Sequence, residues 1–285
     1  MARKVVKKET LAPNVVRMLV AAPEIANKHR AGQFIVLRVN ETGERIPLTI
    51  ADTDVKAGTI TLIFQVVGKS TMLLRDVPEG GEILDLVGPL GTPTHVENFG
   101  TAVCVCGGIG TAPLYPIAKA LKQAGNKVIS IVGAQKASLL ILEDEMKAVS
   151  SELIISTDDG SKGFHGLVTD VLKKILDSGE KVGYIIAIGP LPMMKAVANT
   201  TRPYKVKTMV SLNSIMIDGT GMCGGCRVSV GGERKFTCVD GPEFDGHLVD
   251  FDNLGARLRS YRDQEAQSRK EYEDHACKIQ TATNP

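Results

Sequence analysis

The stretch from Asp218 to Cys238 constrains this chain more than any other. It reads Asp218-Gly219-Thr220-Gly221-Met222-Cys223-Gly224-Gly225-Cys226, with Cys238 after a short connector, so half of the six cysteines fall in the spacing D-x4-C-x2-C-x11-C. That is the ligand spacing of a plant-type 2Fe-2S site, with Asp218 in the first ligand position and Cys223, Cys226 and Cys238 in the others. A loop that wraps an inorganic cluster needs backbone N–H groups close to the sulfides and positive φ angles, and glycine supplies both. A zinc knuckle would require a second ligand pair, and only Cys238 follows. A redox dithiol would open a helix, whereas Gly221, Gly224 and Gly225 write a loop. A carboxylate matches a thiolate in charge but is a harder donor. Cys277 and His247 therefore stand as alternatives to Asp218 for the fourth ligand.

At 285 residues the chain exceeds the size at which a single core stops growing, roughly 250 residues, so two large domains and a small third are expected. A hydrophobic fraction of 43%, a charged fraction of 23% and a net charge of +2 are those of an ordinary soluble protein. They give no reason to expect nucleic acid or an anionic membrane as partner. The N-terminus Met1-Ala2-Arg3-Lys4-Val5-Val6 lacks an apolar signal core, and no run approaches the ~20 apolar residues of a membrane span. Together with cysteines at metal spacing, this predicts a cytoplasmic, reducing location.

Residues 1–98 read as β structure. Short apolar or alternating runs at 15–20, 34–39, 46–50, 59–67 and 83–87 are separated by turn residues, which predicts an antiparallel barrel with one helix over 70–76. Two motifs in it bear chemistry. Arg45-Ile46-Pro47-Leu48-Thr49 sets a cation, a rigid proline and a hydroxyl along one strand. Gly68-Lys69-Ser70-Thr71 sets two hydroxyls at a helix N-terminus, where free N–H groups and the dipole favour an anion.

Near residue 99 the period changes. Strands at 102–106, 128–132, 153–156, 184–188 and 206–212 alternate with helices at 111–124, 138–149, 166–176 and 191–199, which predicts a parallel sheet covered on both faces over 99–213. The first βα turn, Cys106-Gly107-Gly108-Ile109-Gly110-Thr111-Ala112-Pro113, suits a pyrophosphate, with Thr111 as cap. The other strand ends carry Gly133-Ala134, Thr157-Asp158-Asp159-Gly160 and Gly189-Pro190-Leu191-Pro192-Met193, and ligands of open α/β sheets bind along that edge. Cys104 reads as core and Cys106 as a wall of the site. The cluster segment occupies 214–250. Residues 251–285 form a charged C-terminal helix and tail, either a solvated surface helix or an arm that grips a partner.

In this order, a barrel with R-x-P-x-T and G-x-S-T, then G-G-I-G-T-A-P, G-P-x-x-M and the cluster loop, the chain resembles the ferredoxin-NADP reductase superfamily. Within it, residues 1 to about 250 are similar to the electron-transfer subunits of dihydroorotate dehydrogenase and the small subunits of NADH-dependent ferredoxin:NADP oxidoreductase, also called sulfide dehydrogenase. The first group holds its cluster with four cysteines and the second has aspartate in the first position, so Asp218 favours the second. The resemblance implies FAD along Arg45, Pro47, Leu48 and Thr49, with its pyrophosphate at Gly68, Ser70 and Thr71. It implies NAD(H) at Gly108, Gly110, Thr111, Asp158, Gly189, Pro190 and Met193, and a 2Fe-2S cluster on Asp218, Cys223, Cys226 and Cys238.

The function expected is conversion of a two-electron hydride into single electrons. The chain would exchange hydride with NAD(H) and pass electrons to or from a larger flavoprotein with further iron-sulfur clusters, reaching ferredoxin only indirectly, in an electron-bifurcating complex. Service to dihydroorotate dehydrogenase or another oxidoreductase is one alternative, and a non-catalytic redox-sensing module is another. No hydrolytic triad or carboxylate pair is present in the motifs. The choice between NADH and NADPH stays open at Gln135-Lys136.

Overall fold

The computed structural model describes residues 2–283, with side chains to residue 274. The first sheet is built from β1 (Arg3–Ala12), β2 (Val15–Ala21), β3 (Phe34–Arg38), β4 (Ile46–Asp54), β5 (Thr59–Gln65), β6 (Glu82–Ile83) and β7 (Asp85–Leu90), with helices α1 (Pro23–Ala26) and α2 (Lys69–Asp76) between strands. Every pairing is antiparallel, in the order β6-β1-β2-β5-β4-β3-β7. The two outermost strands are consecutive in the chain with only Leu84 between them, so the sheet curls into a near-closed barrel and leaves little free edge. Alternate residues fill its interior: Val5, Met18, Val20, Ile35, Leu37, Ile50, Ile60 and Leu62 are fully buried.

The second sheet contains β8 (Thr101–Gly107), β9 (Lys127–Ala134), β10 (Glu152–Thr157), β11 (Phe164–His165), β12 (Val182–Ile188), β13 (Thr208–Ser211) and β16 (Glu243–Asp245). Helices α3 (Thr111–Gln123), α4 (Glu143–Val149), α5 (Val168–Asp177) and α6 (Leu191–Thr201) cover its faces. The order is β11-β10-β9-β8-β12-β13-β16. The first strand, β8, therefore lies between β9 and β12, and the chain reverses its direction of winding there, which opens a crevice at the C-terminal strand ends. Cys104 and Cys106 do share one face, as their spacing predicts, and both are fully buried.

Three features depart from the sequence expectation, the first being that the barrel carries a second short helix, α1, besides the one expected over 70–76. The helix expected over 138–149 begins only at Glu143: residues Leu140, Ile141 and Leu142 turn inward as core, and Leu142 takes a left-handed φ of 57°. The second sheet is not purely parallel, because β16, drawn from the cluster segment, pairs antiparallel with β13 through Ser211↔Glu243 and Met209↔Asp245. The cluster segment is thus stitched to the sheet edge. Its own hairpin, β14 (Arg227–Val230) with β15 (Glu233–Phe236), carries the connector between Cys226 and Cys238.

The barrel and the second sheet share one core. Ala12, Val15, Ala51 and Ile63 of the barrel cluster with Ala102, Leu114, Ile117 and Leu140. Ion pairs Arg17–Glu145 at 2.6 Å and Lys119–Asp52 at 3.2 Å border this contact. The C-terminal residues form α7 (Phe251–Leu258) and α8 (Arg262–Thr283). Far from being only a solvated tail, α7 buries Phe251 and Leu254 in the second sheet's core, and α8 folds back on the barrel. Tyr272 packs against the barrel core, and its hydroxyl donates to Asp76 Oδ2 at 2.8 Å. No helix of the described residues is long and apolar enough to cross a membrane.

Candidate functional site

A cleft of about 930 Å³ runs along the C-terminal strand ends of the second sheet and across the outer face of the barrel. From the barrel come Pro47, Leu48 and Thr49 of β4 and Thr71 of α2. From the sheet come Gly108, Gly110, Asp158, Gly189, Pro190 and Met193. These ten expected site residues are brought together by elements that are remote in sequence.

The floor at the sheet end is made of close backbone approaches. A Cβ on Gly110 would lie 2.2 Å from the carbonyl oxygen of Ile188, and one on Gly189 would lie 2.9 Å from Met193 Cε. Gly108 has open space beside it but a φ of +55°, so its freedom is conformational. Thr111 does not face the cleft. It is buried, its hydroxyl donates to the Gly108 carbonyl at 2.9 Å, and its Oγ1 lies 3.4 Å from Cys106 Sγ, so it holds the turn from beneath. Cys106, expected as a wall of the site, is likewise sealed in the core. Burial pushes its thiol well up, to about 12.

At the barrel end, Thr71 Oγ1 accepts from the N–H groups of Val67 and Gly68 and donates to the Gly68 carbonyl. The first-turn N–H groups of α2 have no intrahelical acceptor. Ser70 Oγ donates to Glu44 Oε2 at 3.3 Å, which brings the loop carrying exposed Arg45 against the start of α2. Arg45, Gly68 and Ser70 border this end without lining the cleft itself.

In the cluster loop, Cys226 and Cys238 are buried with their sulfurs 3.2 Å apart. Cys223 is exposed, and the Gly225 N–H donates to its sulfur at 3.4 Å. The Asp218 carboxylate accepts from the N–H groups of Thr220, Met222 and Cys223 at 2.9, 3.1 and 2.8 Å, and these bonds hold its carboxyl below the usual range. The loop therefore seats an anion next to one thiol and two further thiols side by side, a donor set that fits an iron-sulfur cluster. Among the described residues the four donors do not converge into one ready-made metal cage. His247, the alternative donor, is engaged instead with Thr201 Oγ1 at 2.8 Å. Cys277 lies outside the described residues.

Sequence reasoning missed two polar residues here. Ser214 lines the cleft yet is only 4% exposed, and Glu243 of β16, largely buried, accepts from Thr94 Oγ1. Neither carries a periodic or motif signal.

Fold and site together define an NAD-binding oxidoreductase of the ferredoxin reductase-like fold with an iron-sulfur domain. Residues 104–199 match the oxidoreductase NAD-binding domain, and residues 213–250 match the iron-sulfur cluster binding domain of dihydroorotate dehydrogenase B. The chain is 49% identical to the dihydroorotate dehydrogenase B (NAD(+)) electron transfer subunit homolog of Thermotoga maritima, over 92% of each chain. It is 32% identical to the corresponding subunit of Fusobacterium nucleatum, over 82% of this chain and 92% of that one. A chain of the NADH-dependent reduced ferredoxin-NADP oxidoreductase structure, solved for insight into flavin-based electron bifurcation, is 47% identical. It superposes with a TM-score of 0.90 over 95% of this chain and 97% of that one. The chain belongs to the family of dihydroorotate dehydrogenase B electron transfer subunits and their homologs.

Proposed function

We propose that this chain is the NAD(H)-handling, FAD- and 2Fe-2S-bearing subunit of a larger electron-bifurcating oxidoreductase. One observation carries the reading: a single segment borders both the cleft and the cysteine site. Ser211, Leu212, Asn213, Ser214 and Met216 line the cleft, and Met216 also packs with Phe34, Val36, Cys226 and Cys238. When bound, a flavin takes hydride from a nicotinamide and gives up electrons singly, and a 2Fe-2S cluster accepts them singly.

The chain's own residues bind, orient and exclude water. Pro47, Leu48 and Thr49 offer a strand wall to the flavin ring, and Arg45, Gly68, Ser70 and Thr71 offer a cation, free N–H groups and hydroxyls to its pyrophosphate. That second need favours FAD over FMN. Gly108, Gly110, Gly189, Pro190 and Met193 give a smooth floor that would hold a nicotinamide in the same cleft as the flavin. Asp158 is the one charged side chain lining the cleft, and no cation faces it there among the described residues. A carboxylate accepts from a ribose hydroxyl and repels a 2′-phosphate, which favours NAD(H) over NADP(H). Cys226 and Cys238 suit one iron, and Asp218 with Cys223 the other.

The similarity to a chain of the ferredoxin-NADP oxidoreductase structure supports the bifurcating reading, and the relatives' description as electron transfer subunits supports a larger partner, which we take to be a flavoprotein that serves ferredoxin. The relatives named for dihydroorotate dehydrogenase B support service to that enzyme as the second reading. Anaerobic NADH titration of the purified chain tests the common part: bound flavin is bleached, but coupled turnover of NADH, ferredoxin and NADP needs the partner. Coupled turnover by the chain alone contradicts the subunit reading. Dihydroorotate-linked NADH formation with a dihydroorotate dehydrogenase partner would favour the second.

A further inference from the structure

Ser214 stands out in the wall between cleft and cluster loop. Its side chain is 4% exposed, it lines the cleft, and its Oγ has no hydrogen-bond partner among the described residues. A buried hydroxyl without a partner costs about 1–3 kcal/mol relative to a satisfied one, and alanine would fill the same place more cheaply. Among the described residues three buried polar side-chain atoms lack a partner, those of Arg3, His29 and Ser214, and of these Ser214 alone lines the cleft. Two residues on, Met216 packs against Cys226 and Cys238.

We propose that the Ser214 hydroxyl is a binding contact for the polar N5–O4 edge of the flavin ring, on the wall of the cleft that faces the cluster cysteines. The proposal rests on the flavin reading above. A hydroxyl suits this task because it both donates and accepts: it can donate a hydrogen bond to N5 or O4 of an oxidised ring and accept one from the N5–H of a reduced ring. The contact would then persist through both redox states of the bound ring. The adjoining Asn213 lines the same wall and closes the polar patch.

The test uses the full-length chain with its cluster, depleted of flavin and titrated with FAD in the absence of nicotinamide. Ser214→Ala weakens FAD binding about five- to tenfold and shifts the visible band of the bound flavin, while the EPR spectrum of the reduced cluster is unchanged. Ser214→Thr keeps the hydroxyl and restores both. Wild-type FAD affinity and spectrum in Ser214→Ala overturn the proposal, as does a variant with wild-type FAD affinity whose NADH affinity, titrated separately on the flavin-loaded chain, is weakened. A wild-type chain that takes up no FAD overturns the flavin reading itself, and so separates the two failures.

Discussion

Thr94 Oγ1 donates to Glu243 Oε1 at 2.5 Å, joining the connector that leaves the barrel to the edge strand β16 of the second sheet. Gly32 of the barrel packs on this pair so closely that a Cβ would lie 2.3 Å from Thr94 Oγ1 and 2.8 Å from Glu243 Oε1. Barrel, connector and cluster segment meet at these three residues.

Burial raises the Glu243 carboxyl from its ordinary 4.5 to about 7, with the Thr94 bond opposing the shift. The folded protein therefore holds a proton that the unfolded chain has released between those values, so the stabilisation is complete below pH 4.5 and is lost as pH rises through about 7. The loss is on the order of 2 kcal/mol, allowing for the part of the side chain still in contact with solvent. Glu243→Gln should flatten this dependence and be the more stable protein at pH 8. Denaturant melts at a series of pH values check it, and an unchanged slope in the variant would sink the assignment.

The two glycines of the first βα turn should respond differently to a methyl group. Gly110→Ala sets a Cβ against the Ile188–Gly189 backbone, which cannot swing aside as a side chain would, and should cost about 3 kcal/mol or more. Gly108→Ala meets only open space and the penalty of a positive φ, about 1 kcal/mol. Equal melting temperatures for the two variants would show that the turn is not packed as described.

Asp158→Ser removes the one charged side chain lining the cleft among the described residues. The ratio of kcat/KM for NADPH to that for NADH, read with an artificial electron acceptor, should rise about tenfold or more. No change in that ratio would mean that the carboxylate does not face the 2′ position.

Loss of Cys226 or Cys238 should abolish the cluster, because each buried sulfur faces the other. Asp218→Cys should keep the cluster but alter its EPR spectrum and potential, since a softer donor replaces a carboxylate. Retention of the wild-type spectrum would remove Asp218 from the ligand set.

Much of this was legible in the sequence, and the reasons for the rest are physical. The apolar strands at 102–106 and 184–188 announce a sheet buried on both faces, and the Asp218–Cys238 spacing points to a cluster loop. The short helix start at Glu143 was hidden because Leu139 to Leu142 have helical composition but serve the core. β16 was hidden because Glu243-Phe244-Asp245 is too short to show alternation, and its pairing with β13 is a tertiary event. Thr111 and Cys106 have the residue types of a binding turn, yet the turn rotates both inward. Ser214 and Glu243 gain their meaning only from burial, which no local pattern records.

In the proposed function, electrons entering at the cleft leave through the cysteine site across the wall of residues 211–216. The most direct measurement is rapid-freeze EPR of anaerobic, cofactor-replete protein mixed with NADH, followed in parallel by flavin absorbance. Flavin absorbance should fall first, and a reduced 2Fe-2S signal should grow in afterwards. A folded, iron- and flavin-loaded protein whose flavin is bleached while the cluster stays oxidised, despite a potential that permits its reduction, would contradict it.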